Sequence, residues 1–135
     1  MNKFFIFDTN TLLSALFDEN SIPALALKKA RGQGILLTSI QVIREYRRVF
    51  FKPKLGKYIS FTTRLEFIEN IIFNSFRVNI IEGISECRDS NDDKWLSLAV
   101  SAEADCIVTD DKDLLVMNPF RNTPILNSND FLKIY

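Results

Sequence analysis

The sequence predicts an α/β fold built on a mostly parallel sheet. Short apolar runs alternate with longer segments whose apolar residues recur at helical spacing, a pattern typical of strands separated by crossover helices. The chain has 135 residues, the length of one ordinary domain, and shows no internal repeat or long linker. We therefore expect a single domain over residues 1–135. Its hydrophobic fraction of 47% is enough for a bulky core between helices.

The sequence contains signals for the first strand and for the two helices that follow it. Lys3–Phe7 is a continuous apolar and aromatic run, which suits a strand covered on both faces, and it stops at Asp8. Leucines at helical spacing predict a helix over residues 10–17. A second helix is predicted to begin at Ser21, because proline is tolerated in a first turn and Pro23 lies there.

A second strand and a third helix complete the first half of the chain. Residues 35–37 form a short apolar run that predicts the strand. Ser39 is of the residue type that caps helix N-termini, and the helix it would begin runs to about Phe50. Pro53 and Gly56 then end the segment.

The second half repeats the alternation with shorter strands. Apolar residues recur over residues 62–75 at the intervals of a buried helical stripe. The remaining predicted elements are a strand at 78–81, a helix beginning at Asp92, strands at 106–108 and 124–126, and a short helix after Ser128. This order of strands and helices calls for a mostly parallel sheet.

Charge is unevenly distributed although the chain is neutral overall. Residues 82–113 are rich in acids, whereas residues 44–64 carry one acid, Glu45, and the bases Arg44, Arg47, Arg48, Lys52, Lys54, Lys57 and Arg64. A basic flank beside an acidic centre is what a metal-dependent phosphodiesterase would need. The alternative is a solvated helix face with scattered surface charge. The neutral total argues against nucleic-acid binding by bulk charge alone.

Membrane and secreted classes are not favoured. No segment approaches about 18 consecutive apolar residues, and the run before Asp8 is too short for a signal peptide. We therefore expect a cytoplasmic protein without a membrane segment. Cys87 and Cys106 lack CxxC spacing and are expected to be reduced thiols.

Four acidic positions fall where a parallel sheet would bring them together. Asp8 follows the first strand, and Asp111 follows the fourth. Asp92 and Asp93 open the helix that precedes the fourth strand. The carboxyl ends of parallel strands and the starts of their helices share the sheet edge where ligands collect. Glu45 would reach this edge from the third helix.

This set of side chains favours a hard divalent cation. The chain contains no histidine, and carboxylate oxygens suit Mg²⁺ or Mn²⁺ rather than zinc. Such a cation can lower the pKa of a water molecule for attack on a phosphodiester, and a second can stabilise the leaving oxygen. The chain lacks P-loop, GxGxxG, GxSxG and HExxH motifs, so the acids are its strongest indication of chemistry.

Each acid also has a purely structural interpretation. Asp8 can be an N-cap, Asp92 and Asp93 can complement a helix dipole, and Glu45 can pair with a neighbouring arginine. Only their predicted convergence favours a metal site. Three polar residues at the same strand ends can orient a carboxylate or bind a metal's water, or simply cap local backbone: Thr9, Asn10 and Thr109.

Three longer segments are spread along the chain: FDTNTLLSALF, TSIQVIREYRRVFFKPKL and RDSNDDKWLSLAVSAEADCIVTDDKDLL. They resemble the PIN-domain ribonuclease family, in particular its VapC-like branch of bacterial toxins, and the resemblance extends over essentially the whole chain. The resemblance implies a three-layer α/β/α fold with a mostly parallel sheet of about five strands. It also implies a Mg²⁺- or Mn²⁺-dependent endoribonuclease acting on RNA, a homodimer, and inhibition by a cognate antitoxin.

The resemblance further implies roles for single residues. The catalytic acids would be Asp8, Glu45, Asp93 and Asp111, and the metal would be held by Asp8, Asp93 and Asp111. The family's spacing back from Thr109 favours Asp93 as the third acid, with Asp92 kept as a candidate. Supporting residues would be Asn10, Asp92 and Thr109. The basic flank would supply RNA-binding residues, namely Arg44, Arg47, Arg48, Lys52 and Lys54.

Two other functions fit less of the sequence. A PIN-like binding or regulatory module would keep the acids without turnover, and it would bind RNA or protein with no metal-dependent cleavage. Phosphatase or phosphoacceptor chemistry would need a second acid two residues after Asp8 or a lysine after a late strand. The chain has Asn10 at the first position, and no apolar run precedes a suitable lysine.

Overall fold

A computed structural model describes residues 2–135 and contains a five-stranded, all-parallel sheet. The strand order is β3-β2-β1-β4-β5, so β1 lies at the centre. The strands are β1 (Lys3–Phe7), β2 (Gly34–Thr38), β3 (Phe76–Arg77), β4 (Cys106–Val108) and β5 (Ile125–Leu126). The predicted three-layer α/β/α architecture is therefore confirmed.

Within residues 2–135, seven helices cover the sheet. They are α1 (Thr9–Phe17), α2 (Ile22–Gln33), α3 (Ile40–Phe50), α4 (Phe61–Asn74), α5 (Asp93–Ala102), α6 (Lys112–Leu115) and α7 (Ser128–Ile134). Two 3₁₀ turns, Pro53–Lys57 and Ser90–Asp92, precede α4 and α5. No helix within residues 2–135 combines the length and the apolar character needed to cross a membrane.

The third strand is the element that the sequence places wrongly. It was predicted at 78–81, but β3 is Phe76–Arg77. The backbone N–H of Val78 still donates to the Thr38 carbonyl at 2.8 Å, after which the chain leaves the sheet. The backbone N–H of Ile81 instead donates to the side-chain hydroxyl of Ser101 at 3.0 Å. This hydrogen bond is therefore made with α5 and not with a neighbouring strand.

The centre of the sheet depends on a close approach between β1 and β2. Gly34 pairs with Lys3 in the parallel register. A Cβ atom at Gly34 would lie 2.0 Å from the Lys3 carbonyl oxygen, far inside van der Waals contact. Glycine is therefore required at this position for steric reasons. The close approach that it allows places β2, and α3 after it, beside β1, the strand that leads to Asp8.

The end of α3 is held by a buried arginine. Arg64 of α4 is only 3% exposed. Its guanidinium donates to the carbonyl oxygens of Phe50, Lys52 and Ile59 at 2.7, 3.0 and 3.1 Å. These carbonyls lie at or just beyond the C-terminus of α3 and in the following turn, where backbone acceptors lack helical partners. Arg64 thus fixes the helix that carries Glu45.

Candidate active site

Asp8 directly follows β1 and is the N-cap residue of α1. Its Oδ1 accepts the backbone N–H of Thr11 at 3.0 Å, and its Oδ2 accepts the hydroxyl of Thr109. The side chain is 6% exposed. Burial raises the pKa of Asp8 above its ordinary value, although these hydrogen bonds act in the opposite direction. A buried carboxylate with a raised pKa is stabilised by a cation brought close to it.

Thr109 joins Asp8 to Asp111. Its fully buried hydroxyl donates to Asp8 and accepts the backbone N–H of Asp111 at 3.0 Å. Asp111 caps α6, where its Oδ1 accepts the N–H of Asp113 at 2.9 Å. Because β1 and β4 are adjacent, the T-x-D spacing after β4 sets two carboxylates side by side at one sheet edge.

Asp92 lies beside Asp111 at the start of α5. It is 9% exposed, and its Oδ2 has no hydrogen-bond partner within residues 2–135. Burial, a hydrogen bond with Asp111 and the charges of Asp111, Asp89 and Asp113 raise the pKa of Asp92 to about 7. A carboxyl group buried among carboxylates is unfavourable unless a proton or a cation neutralises it.

Two aspartates that the sequence analysis did not select adjoin Asp92. Asp89, Asp92 and Asp113 each offer a carboxylate oxygen, and these oxygens lie within 4.8 Å of one another. Asp113 also pairs with Arg88 at 2.7 Å, and Asp89 accepts the N–H of Asn91 at 3.0 Å. The D-x-x-D and D-x-D spacings were the available signals for Asp89 and Asp113.

The carboxylates enclose what we call the acid cleft, a cavity of about 360 Å³. Its lining consists of Asp8, Asn10, Thr11, Ser14, Asp89, Asp110, Asp111 and Asp113. Asp92 adjoins this lining through Asp111. Of the predicted site residues, the structure therefore brings together Asp8, Asn10, Asp92, Thr109 and Asp111.

Asp93 follows Asp92 but contacts a different part of the molecule. Its Oδ1 accepts the backbone N–H of Cys87 at 2.9 Å. Further along α5, Ser97 and Ser101 accept backbone N–H groups of the same loop at 2.9 and 3.0 Å. Side chains four residues apart lie on one face of a helix. Asp93, Ser97 and Ser101 thus form a row that holds the loop before α5.

Glu45 projects from α3 beside a second cavity. Its Oε1 lies 2.9 Å from Arg48 Nη2 and 3.7 Å from Lys94 Nζ, and its Oε2 accepts the Thr9 hydroxyl at 3.3 Å. Burial raises the pKa of Glu45, but the hydrogen bond with Arg48 and the positive charges outweigh this, and the pKa is lowered overall. Thr9 follows Asp8, so Glu45 adjoins the acid cleft without lining it.

We call the second cavity the α3–α5 cleft, and its volume is about 770 Å³. Its charged lining residues are Arg44, Glu45, Arg48, Asp93 and Lys94. The other predicted RNA-binding residues are not among its lining: Arg47 pairs with Glu69 of α4 at 2.7 and 2.9 Å, and Lys52 and Lys54 follow the end of α3. The structure thus brings only part of the basic flank to this cleft.

Residues 5–113 match the sequence model described as the PIN domain. The chain belongs to the PIN-domain family. This confirms the resemblance seen in the three sequence segments. The matched range includes Asp8, Glu45, both candidates for the third acid, and Asp111.

Known relatives of this PIN domain support the same fold. The chain is 30% identical over 131 residues to uncharacterized protein MJ1680 of Methanocaldococcus jannaschii. The aligned region covers 96% of this chain and 79% of that protein. The crystal structure of PAE2754 from Pyrobaculum aerophilum is similar at a TM-score of 0.63 and 13% identity, covering 98% of this chain and 88% of that one. The crystal structure of VapBC2 from Rickettsia felis, bound to a DNA fragment from their promoter, is similar at a TM-score of 0.61 and 13% identity. The similarity covers 92% of this chain and 98% of that one.

The acid cleft of this PIN domain fits a hard divalent cation. The charged groups of its lining are all carboxylates, and the adjoining Asp92 Oδ2 is buried without a hydrogen-bond partner within residues 2–135. Neither Cys87 nor Cys106 is among the residues that line this cleft, and burial raises the thiol pKa of both to about 12. The carboxylate oxygens of Asp89, Asp92 and Asp113 lie within 4.8 Å of one another, and Asp8 and Asp111 line the same cleft.

Proposed function

We propose that this PIN domain is a Mg²⁺- or Mn²⁺-dependent endoribonuclease. The observation that supports this function most directly is the convergence of Asp8, Asp92 and Asp111, with an unpartnered, buried oxygen on Asp92. No basic side chain within residues 2–135 forms an ion pair with any of these three aspartates. Their charge is therefore available to a divalent cation and, through it, to a phosphodiester.

In this proposal the third acid is Asp92 rather than its neighbour Asp93. When bound, the cation would supply positive charge at the scissile phosphate and lower the pKa of the attacking water. Thr109 holds Asp8 and Asp111 at a fixed separation through one buried hydroxyl. Asn10, exposed at the rim of the acid cleft, can donate its amide to a substrate oxygen.

The experiment that tests this function is RNA cleavage by the purified protein. A mixed pool of structured RNA is incubated with Mn²⁺ or Mg²⁺, beside an EDTA control and an Asp8→Asn variant. We expect cleavage that disappears in both controls. Metal-independent binding of the RNA without any cleavage would instead favour the regulatory-module interpretation and contradict the proposed enzyme.

We further propose that the nuclease is the cytoplasmic toxin of a toxin–antitoxin pair and forms a homodimer. The VapC-like sequence segments support this role, as does the similarity in fold to a chain of VapBC2. Expression of the protein alone should arrest growth, and co-expression of a cognate antitoxin should relieve the arrest. Light scattering on the purified protein measures the oligomeric state, and a monomer would contradict the proposed dimer.

A further inference from the structure

The aspartates around Asp92 have the donor set of a second cation site. Asp89, Asp92 and Asp113 each offer a carboxylate oxygen, and these oxygens lie within 4.8 Å of one another. One divalent cation can contact all three, since such ions bind several oxygens at about 2.0–2.6 Å. Asp92 is 9% exposed, and its Oδ2 is buried without a hydrogen-bond partner within residues 2–135. This second group shares Asp92 with Asp8 and Asp111.

Arg88 already supplies a positive charge to this second group. Its Nη2 lies 2.7 Å from Asp113 Oδ1. Among the ion pairs of residues 2–135, this is the only one that involves a residue lining the acid cleft. A guanidinium keeps its charge at any pH near neutrality. Asp113 therefore has a cation from the chain itself, whereas Asp92 has none.

The backbone on both sides of Arg88 is held by hydrogen bonds. The N–H of Cys87 donates to Asp93 Oδ1 at 2.9 Å. Asp89 caps the following 3₁₀ turn, where its side chain accepts the N–H of Asn91 at 3.0 Å. The side chain of Arg88 is 62% exposed, so these two anchors rather than packing determine where it starts. The chain thus presents a cation to the acid cleft from a fixed point.

We propose that Arg88 is a built-in counter-cation that takes the place of a second divalent cation at Asp89, Asp92 and Asp113. The wild-type acid cleft then binds one divalent cation tightly and a second one only weakly. The Arg88 and Asp113 side chains are 62% and 38% exposed, so a second ion competes with the guanidinium by affinity and is not sterically excluded. This inference rests on the proposed ribonuclease function, because it concerns the number of metal ions at the same site.

The test is Mn²⁺ binding, with free Mn²⁺ measured by electron paramagnetic resonance during titration of each protein. We expect Arg88→Met to bind the second Mn²⁺ about tenfold more tightly than the wild type does. This is the order expected when a unit charge is removed a few Å from a divalent cation at a dielectric constant close to that of water. Arg88→Lys keeps the charge and should stay within about threefold of the wild type.

Arg121→Met is the matched control. Arg121 also pairs with two acids of the loop that carries Arg88, Glu82 at 2.7 Å and Glu86 at 3.7 Å, but neither acid lines the acid cleft. Its Mn²⁺ binding curve should therefore match that of the wild type. Adding Asp113→Asn to Arg88→Met should weaken the second Mn²⁺ again, because a carboxylate ligand of that ion is then missing.

Three results would overturn the proposal. They are unchanged binding of the second Mn²⁺ in Arg88→Met, an equal gain in Arg121→Met, and a wild type that binds two Mn²⁺ ions with similar affinity. The readout does not depend on RNA cleavage. The expected Arg88 effect in a protein that binds Mn²⁺ but never cleaves RNA would refute the ribonuclease and still support the counter-cation. Absence of Mn²⁺ binding in the wild type and in every variant would contradict both proposals.

Discussion

Residues Asp92 and Lys94 stand two positions apart at the start of α5, yet their surroundings are opposite. Asp92 has carboxylates for neighbours, and its pKa is raised to about 7 by burial and by those charges. Lys94 adjoins Glu45, whose pKa is lowered because cations outweigh its burial. Within residues 2–135 no basic side chain pairs with Asp92, although Arg88 pairs with Asp113 nearby, whereas Glu45 is paired with Arg48 and Lys94. This difference indicates which of the two carboxylates needs an external cation.

The comparison is tested most strongly by replacing the two adjacent aspartates. We expect Asp92→Asn to lower the rate of RNA cleavage by about 100- to 1,000-fold, because charge stabilisation by a bound cation is worth several kcal/mol. Asp93→Asn should lower it by less than about tenfold, because asparagine still accepts the Cys87 N–H. Single-turnover cleavage measures both, and circular dichroism checks folding. The reverse ranking would return the third-acid role to Asp93.

Asp92 and Glu45 should also differ in how they make the free energy of unfolding depend on pH when no metal is bound. Asp92 has an ordinary pKa of 3.8 and a pKa of about 7 in the fold. Its contribution to stability is complete below the lower value and is lost as pH rises through the higher one, because only the folded state keeps the proton. Glu45 acts in the opposite sense, and its contribution is lost as pH falls below its ordinary value of 4.5.

Urea unfolding in EDTA across this pH range measures these contributions. We expect the free energy of unfolding to decline toward neutral pH and millimolar Mg²⁺ or Mn²⁺ to remove the decline, since a ligand of the folded state stabilises it. A flat profile in EDTA, or no response to either ion, would contradict a cation-deficient acid cleft.

A smaller effect, on stability, is expected from removing the Thr109 hydroxyl, which connects Asp8 and Asp111. Thr109→Val should lower the free energy of unfolding by about 1–3 kcal/mol, because it leaves buried polar groups of Asp8 and Asp111 without their partner. Thr109→Ser keeps the hydroxyl and serves as the control. Urea denaturation of both variants provides the measurement, and equal losses would show that the hydroxyl is not the cause of the effect.

The smallest effect is expected for the ion pair on the outer side of α3. Arg47 and Glu69 are 46% and 37% exposed, and exposed pairs contribute about 1 kcal/mol or less. Arg47→Ala should therefore change the free energy of unfolding by no more than about 1 kcal/mol, measured in urea at low and high salt. A larger loss would show that this pair helps to align the helix.

The fold could be predicted from the sequence because four of the five strands in residues 2–135 are short apolar runs followed by a polar residue. The same rule failed at 78–81, where Ile81 donates its backbone N–H to Ser101 of α5. A run of apolar residues does not reveal whether its hydrogen bonds go to a strand or to side chains of a helix. That information lies in tertiary contacts.

The convergence of Asp8, Asp92 and Asp111 also followed from strand ends in a parallel sheet. The choice between Asp92 and Asp93 did not, because successive residues at a helix start point in directions about 100° apart and a 3₁₀ turn precedes this helix. Asp89 and Asp113 were missed because loop residues join the cleft through turns that spacing alone does not define.

The guanidinium of Arg64 ties the end of α3 to three backbone carbonyl oxygens. Backbone carbonyls do not titrate, so these acceptors stay the same when the acid cleft gains or loses protons. Burial and neighbouring carboxylates raise the pKa of Asp92 to about 7, so mild acidification protonates Asp92. Under the proposed function, cleavage would then fall and recover with pH while α3 keeps its native position.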